Sequence, residues 1–279
     1  FDRRELARVA LALIVPGVVV GVWYLATLSE GAVIPTIPEV LDVVFHPFRE
    51  PPNLDSRPFF DNILISFLRV VVGFLAAVVT GVPLGLLIGY SRLFDRVFSP
   101  VIEMARPICP IAWLPVAIIL FGLASFGSSI WGTASYRYDV FDQIKYAMVF
   151  IIWWGAFFPI VINTVDGVRG VKKLFVDAAK VLGLDERGIF FRVIFPASLP
   201  SVMTGLRVGM GIAWMVIVAA EFFPGTSSGL GYMITTSHQV AEYEYAFASI
   251  LAIGSIGLTI NWLMMVLTNR VSRWEALER

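Results

Sequence analysis

Residues 63–90 read ILISFLRVVVGFLAAVVTGVPLGLLIGY. A helix needs about 20 apolar residues to cross the hydrocarbon core of a bilayer. This run exceeds that length, so it is expected to tilt or to begin along the interface. Pro83 inside it predicts a kink. Gly73, Ala77, Gly81, Gly85 and Gly89 recur at every fourth position, a ridge of small residues along which another helix backbone can approach closely. Arg69 stands near one end and is expected to snorkel towards the headgroups.

The rest of the chain repeats the theme. Of 279 residues, 58% are hydrophobic and 15% charged, with a mean hydropathy of +0.80. A soluble domain carries about 25% charged residues, so this chain lacks the polar surface to coat a globule. Further apolar stretches lie at 9–28, 101–123, 146–165, 202–222 and 245–268. The expected fold is all-α, a polytopic membrane protein of about six transmembrane helices forming one permease domain over residues 1–279. The run at 9–28 follows Arg3, Arg4 and Arg8 but is longer than a signal-peptide core, so it is expected to remain as a first span. The chain starts at Phe1 rather than methionine, and residues are expected to precede it.

Basic residues set the orientation. With the N-terminus in the cytoplasm, Arg92, Arg96, Arg106, Arg169, Lys172, Lys173, Lys180, Arg187, Arg192, Arg270, Arg273 and Arg279 all fall inside. Only Arg49, Arg57, Arg137 and Lys145 fall outside, so the positive-inside rule places both termini in the cytoplasm. Residues 166–200 then form the longest polar cytoplasmic loop. Residues 124–145 lie outside and carry Trp131, Tyr136, Tyr138, Phe141, Asp139 and Asp142, either an interfacial aromatic belt or a contact for an external partner.

Chemistry-bearing constellations are missing. His46 and His238 fall in external loops, and Cys109 is the single cysteine, so neither a disulfide nor a metal site is expected. There is no G-x-x-x-x-G-K-[ST] phosphate loop. The run from Gly225 to Gly231 is glycine-rich, but it lacks the lysine and is expected to be a re-entrant turn. The net charge of zero gives no reason to expect nucleic acid. Arg207, Trp214 and Glu221 lie seven apart on the fifth span and so share one helical face. That face could line a pathway, or serve structurally with Glu221 pairing near the surface. Glu103 and Arg106 are spaced to pair on one helix face, and Cys109 between its prolines is expected to pack.

The decisive segment lies in the cytoplasmic loop, where 176–196 read VDAAKVLGLDERGIFFRVIFP. Asp177 is a candidate cap for a short helix that Gly183 would end. A second helix is expected from Asp185 to Val193, stopped before Pro196. Aliphatic side chains beside a glycine turn in a polar loop suit a docking surface.

This segment resembles the E-A-A motif of binding-protein-dependent ABC importer permeases: E-A-A, three residues, G, nine residues, I-x-L-P. Asp177, Ala178, Ala179, Gly183, Val193, Phe195 and Pro196 occupy those places, with Asp for Glu, Val for Ile and Phe for Leu. The runs IPTIPEV (34–40), SFLRVVVGF (66–74), RPICPIAWLP (106–115), FFPIVINTVDGVR (157–169), GLRVGMGIAW (205–214) and VAAE (218–221) are similar to the nitrate/sulfonate/taurine/bicarbonate branch. The resemblance implies a type I importer bundle in a bacterial-type inner membrane. It further implies a homodimer, two cytoplasmic ATPase subunits that hold ATP and Mg, and an external solute-binding protein. No cofactor belongs to this chain, and the motif loop would be a coupling helix on the ATPase. The connection at 124–145 is longer than the family's usual one. Two other classes stay open: an ion-coupled secondary transporter, which would show inverted repeats and intramembrane acids, and a membrane anchor of an enzyme complex, which would show cofactor ligands.

Overall fold

A computed structural model describes residues 3–28, 33–122, 124–131, 139–223 and 225–271. The chain enters through α1 (Arg3–Thr27) and the short α2 (Ile37–Phe45), then crosses in α3 (Phe59–Tyr90). α4 (Arg92–Ala105) and α5 (Leu114–Phe121) follow, joined by a single 3-10 turn at Pro110–Trp113. Two small helices, α6 (Phe126–Trp131) and α7 (Asp139–Asp142), precede α8 (Tyr146–Arg169). A hairpin of α9 (Lys173–Val181) and α10 (Glu186–Ile189) leads into α11 (Phe195–Ala220), and α12 (Leu230–Val240) and α13 (Tyr243–Val271) close the chain. No named strand occurs among the described residues.

α8 is the centre of the bundle, held between α3 and α11, with 67% of its apolar window buried against 11% for α13. The small-residue ridge explains the first contact. A Cβ on Gly85 would stand 2.6 Å from the Cβ of Thr164, so only glycine lets α3 lie this close to α8. On α11, Gly205 and Gly209 face the backbone carbonyls of Pro159 and Ala156 on the other side of α8. Val70, Ala77, Ile152, Ile160, Ala213 and Ile217 fill the seams between the three helices.

Among the described residues, four helices are long and apolar enough to cross a membrane: 59–90, 146–169, 186–220 and 243–271. α4 and the segment 110–121 make a fifth only as a pair bent by 91°. The described residues thus give four or five candidate spans where about six were expected. Pro107 and Pro110 have no N–H to continue the helix, so the third expected span is broken at residues 106–109. α1 contributes a shorter apolar stretch, Ile14–Thr27. α3, by contrast, runs through Pro83 without interruption.

The segment 124–145 leaves and returns at one point. Phe126 N donates to Ile144 O (3.1 Å), Tyr146 N to Ala124 O (3.1 Å), and Ser125 Oγ to Asp142 Oδ1 (2.9 Å). Tyr136 and Tyr138 lie outside the described residues, and Phe141 is exposed.

Candidate functional site

The polar hairpin is built as its sequence suggests, with two corrections. α9 begins at Lys173, four residues before Asp177, so Asp177 is an exposed mid-helix residue and not a cap. Gly183 does end the helix, at φ +80°. Its N–H donates to Lys180 O (2.9 Å), and the N–H of Leu184 donates to Ala179 O (3.1 Å). This paired closure satisfies carbonyls that the helix end would otherwise leave open, and its left-handed residue favours glycine. Asp185 then caps α10, accepting from the N–H of Gly188 at 3.0 Å.

The second correction concerns Pro196. α10 does not stop before it but continues through a π turn, Phe190–Ile194, into α11, where Pro196 occupies the first turn. Proline has no N–H to give to the regular ladder, and the π turn, in which the Phe195 N–H reaches back to Phe190 O, carries the helix past it. Val193 and Phe195 are half-buried on this turn. Ala179, Ile189, Ile194 and Val168 form a small core of their own, which fixes the hairpin to the end of α8. Ala178 is exposed on α9. Val181 and Leu182, at the tip, are left 88% and 80% exposed, beside exposed Leu174 and Phe191. An apolar edge bared on a basic, polar hairpin is a surface awaiting a partner.

At the other end of the bundle the structure assembles a buried polar clasp that sequence reasoning missed. Arg69 does not snorkel. Its side chain is wholly buried and pairs with Glu221, Nη1 to Oε1 at 2.7 Å. The same guanidinium donates to Ser228 O (2.9 Å), Ser228 Oγ (3.1 Å) and, from Nε, to Gln143 O (2.9 Å). Glu221 also accepts from Ser66 Oγ at 2.9 Å and from the N–H of Gly231 at 3.0 Å. Asn62 Oδ1 accepts from the N–H of Gly229 (2.7 Å), and Ser66 Oγ from that of Leu230 (2.9 Å). Gly229 sits at φ +116°, and the Glu221 carboxylate occupies the space of any Cβ there. The glycine-rich run is therefore a loop folded over a buried carboxylate, tied through Gln143 to the base of the 124–145 segment. Lys145 donates to Gly225 O; burial and then the nearby Arg69 charge hold its ammonium below the usual lysine range.

The three residues of the fifth-span face each have a partner on a neighbouring helix. Trp214 is buried and its Nε1 donates to Ile253 O of α13 at 3.1 Å. Arg207 Nε donates to Asn261 Oδ1 at 3.0 Å. Arg207 and Trp214 thus meet α13, and Glu221 meets α3.

Open space lies on the other side of α11. A cavity of about 340 Å³ is lined by Arg106, Trp154, Phe158, Asn163, Val208 and Ile212, among others. A smaller one, about 160 Å³, lies between Glu103, Arg106, Asp166 and Arg169. Glu103 and Arg106 form no ion pair, because Arg106 stands at the end of α4 where the helix gives way to the bend. Arg169 instead pairs with Asp95 at 2.6 Å. Cys109 is exposed at the bend rather than packed. No group of histidine, cysteine and carboxylate side chains able to hold a metal occurs among the described residues.

A helical bundle with long apolar helices, a broken one, and a bare polar hairpin at one end defines a multi-pass membrane subunit built to work with a partner. Residues 81–274 match the family described as binding-protein-dependent transport system inner membrane component. The chain is 36% identical to a protein of Methanocaldococcus jannaschii named as an ABC transporter permease, over 96% of this chain and 92% of that one. It is 32% identical to the nitrate import permease protein of Leptolyngbya laminosa, over 91% and 84% respectively. It is also 29% identical to the bicarbonate transport system permease protein of a Synechocystis strain, over 81% and 73%. The chain belongs to this family of ABC transporter permeases. It is a transport subunit and not an enzyme; ATP hydrolysis resides in a separate subunit, and a solute-binding protein completes the system.

Proposed function

We propose that two copies of this chain form the translocation pathway of an ATP-driven importer for a small anion such as nitrate, bicarbonate or a sulfonate. The hairpin 173–196 docks on the ATPase, and both chain termini lie in the cytoplasm. The observation that carries this reading is the bare apolar tip, Val181 and Leu182, held by a glycine turn at the basic end of the bundle. The choice of anion rests on what the relatives' names say they carry. ATP binding closes the two ATPases, draws the hairpins together and opens the bundle outward; hydrolysis resets it. ATP and Mg are held by the partner, and this chain holds no cofactor.

Gly183 provides the test. A Cβ there meets nothing within 4 Å in this chain, so the position is open at its first side-chain atom and a bulky side chain projects from the turn. Its left-handed backbone is a separate cost, which asparagine tolerates better than other residues. Gly183→Trp is expected to insert normally but to lose the ATPase on purification, while Gly183→Asn retains it. Full ATPase recovery with Gly183→Trp would sink the docking assignment.

A further inference from the structure

The hairpin is rooted on the last turn of α8, where Val168 joins the small core of Ala179, Ile189 and Ile194. That turn is gripped on two sides. A Cβ on Gly89 of α3 would stand 2.6 Å from the Cβ of Val168, and one on Gly167 would stand 2.7 Å from the Cβ of Ser201 on α11. The Tyr90 ring meets Phe190 of the π turn edge-on, with centroids 5.2 Å apart. Close packing without voids transmits displacement, so movement of the hairpin passes directly to the ends of α3, α8 and α11.

α4 is held differently. It packs on α3, which it follows after the single residue Ser91, and Ile102 is its one buried side chain. Towards α8 it stands off. The cavity of about 160 Å³ lies between Ser99, Glu103 and Arg106 on one side and Val161, Val165 and Asp166 on the other. Among the described residues one ion pair bridges the two helices, Arg169 Nη2 to Asp95 Oδ1 at 2.6 Å. Ser99 Oγ donates to the same oxygen at 2.6 Å and so fixes the carboxylate on its own helix. Arg169 directly follows Val168, so the bridge starts on the turn that carries the hairpin.

Both partners are well exposed, and a pair of this kind adds little to stability. Its position gives it another role. α4 is about 21 Å long at 1.5 Å per residue. Asp95 stands in its first turn, and the 91° bend lies just beyond its far end. We infer that Arg169 and Asp95 are positioning residues for transport, the link by which movement of the docking hairpin is carried to the broken span. The inference rests on the importer reading and supplies that reading with an internal linkage.

The test uses the complex of chain, ATPase and solute-binding protein in proteoliposomes. Nitrate, bicarbonate and taurine are offered, and uptake of the one that the parent accumulates is divided by the ATP hydrolysed. Asp95→Asn and Arg169→Gln are each expected to lower that ratio at least about fivefold. The thermal midpoint and the recovery of ATPase on purification are expected to stay at the parent's values. The exchange of Asp95→Arg with Arg169→Asp rebuilds the pair in reverse and is expected to return the ratio to within about twofold of the parent. Single variants that keep the parent ratio would overturn the inference. An exchange that recovers nothing would overturn it too, making Arg169 a cation that serves only the end of α8. A lowered midpoint or lost ATPase in the single variants would make the pair a structural clamp and overturn its role in transport. In Arg169→Lys, a zero-length carbodiimide cross-link to Asp95 is read by the mass of the joined peptides. Equal yield with and without nucleotide is expected; a yield that vanishes in one nucleotide state would show a pair that breaks instead of carrying motion. Absence of ATP-driven uptake of all three anions by the parent removes the anion-importer reading, and the inference falls with it.

Discussion

Glu221→Ala is expected to cost this protein more stability than any other single change named here. It leaves the Arg69 guanidinium charged and wholly buried without its carboxylate, and it strips partners from Ser66 and the Gly231 N–H. Removing one member of a buried ion pair costs about 3–5 kcal/mol, because the other charge stays behind in a low dielectric. Glu221→Gln leaves the same stranded charge and should fare nearly as badly. Combining it with Arg69→Met removes both charges, and the double variant is expected to survive better than either single one. The measurement is the temperature at which half the monodisperse protein in detergent is lost. A Glu221→Ala midpoint equal to that of the parent would mean that the clasp contributes nothing to holding the 225–231 loop.

Leu182→Glu is expected to act in the opposite way, leaving the fold intact and breaking the assembly. The side chain is 80% exposed and outside the small core of Ala179, Ile189 and Ile194, so its charge costs the isolated chain little. Against an apolar groove of a partner it would be buried without compensation. Interface positions of this kind cost about 2 kcal/mol or more, roughly a thirtyfold loss of affinity. Titration of the ATPase subunit onto chain held in nanodiscs reads this directly. Unchanged affinity together with unchanged coupling would place the ATPase contact elsewhere.

What could be read from sequence follows from how local each feature is. Long apolar runs report the membrane because the requirement is compositional, and the Gly73–Gly89 ridge reports a close helix contact because its spacing is that of one helix face. Gly183 was legible as a turn for the same reason: one residue's backbone decides it. The failures are all non-local or competitive. Arg69 and Glu221 are 152 positions apart; Arg69 was expected to snorkel, and Glu221 to line a pathway or to pair near the surface with no partner named. The signal was available, since two opposite charges in apolar runs stood near the same membrane face. Pro196 was read as a stop because a proline opposes the helix before it, whereas the π turn shifts it into a first turn. The 91° bend at residues 106–109 needed a choice between one kinked span and two helices, which hydropathy does not make. Trp214 and Arg207 shared a face as the period required, but only the position of α13 decides whether that face is open.

In the proposed function this chain moves solute only as part of an ATP-driven, binding-protein-fed assembly. The most direct test is reconstitution of the chain with its co-purifying ATPase in proteoliposomes, with the solute-binding protein on one side and nucleotide on the other. Accumulation of anion is expected to require both, and to stop when ATP is replaced by a non-hydrolysable analogue. Accumulation by the chain alone, driven by an ion gradient and indifferent to nucleotide, would contradict it.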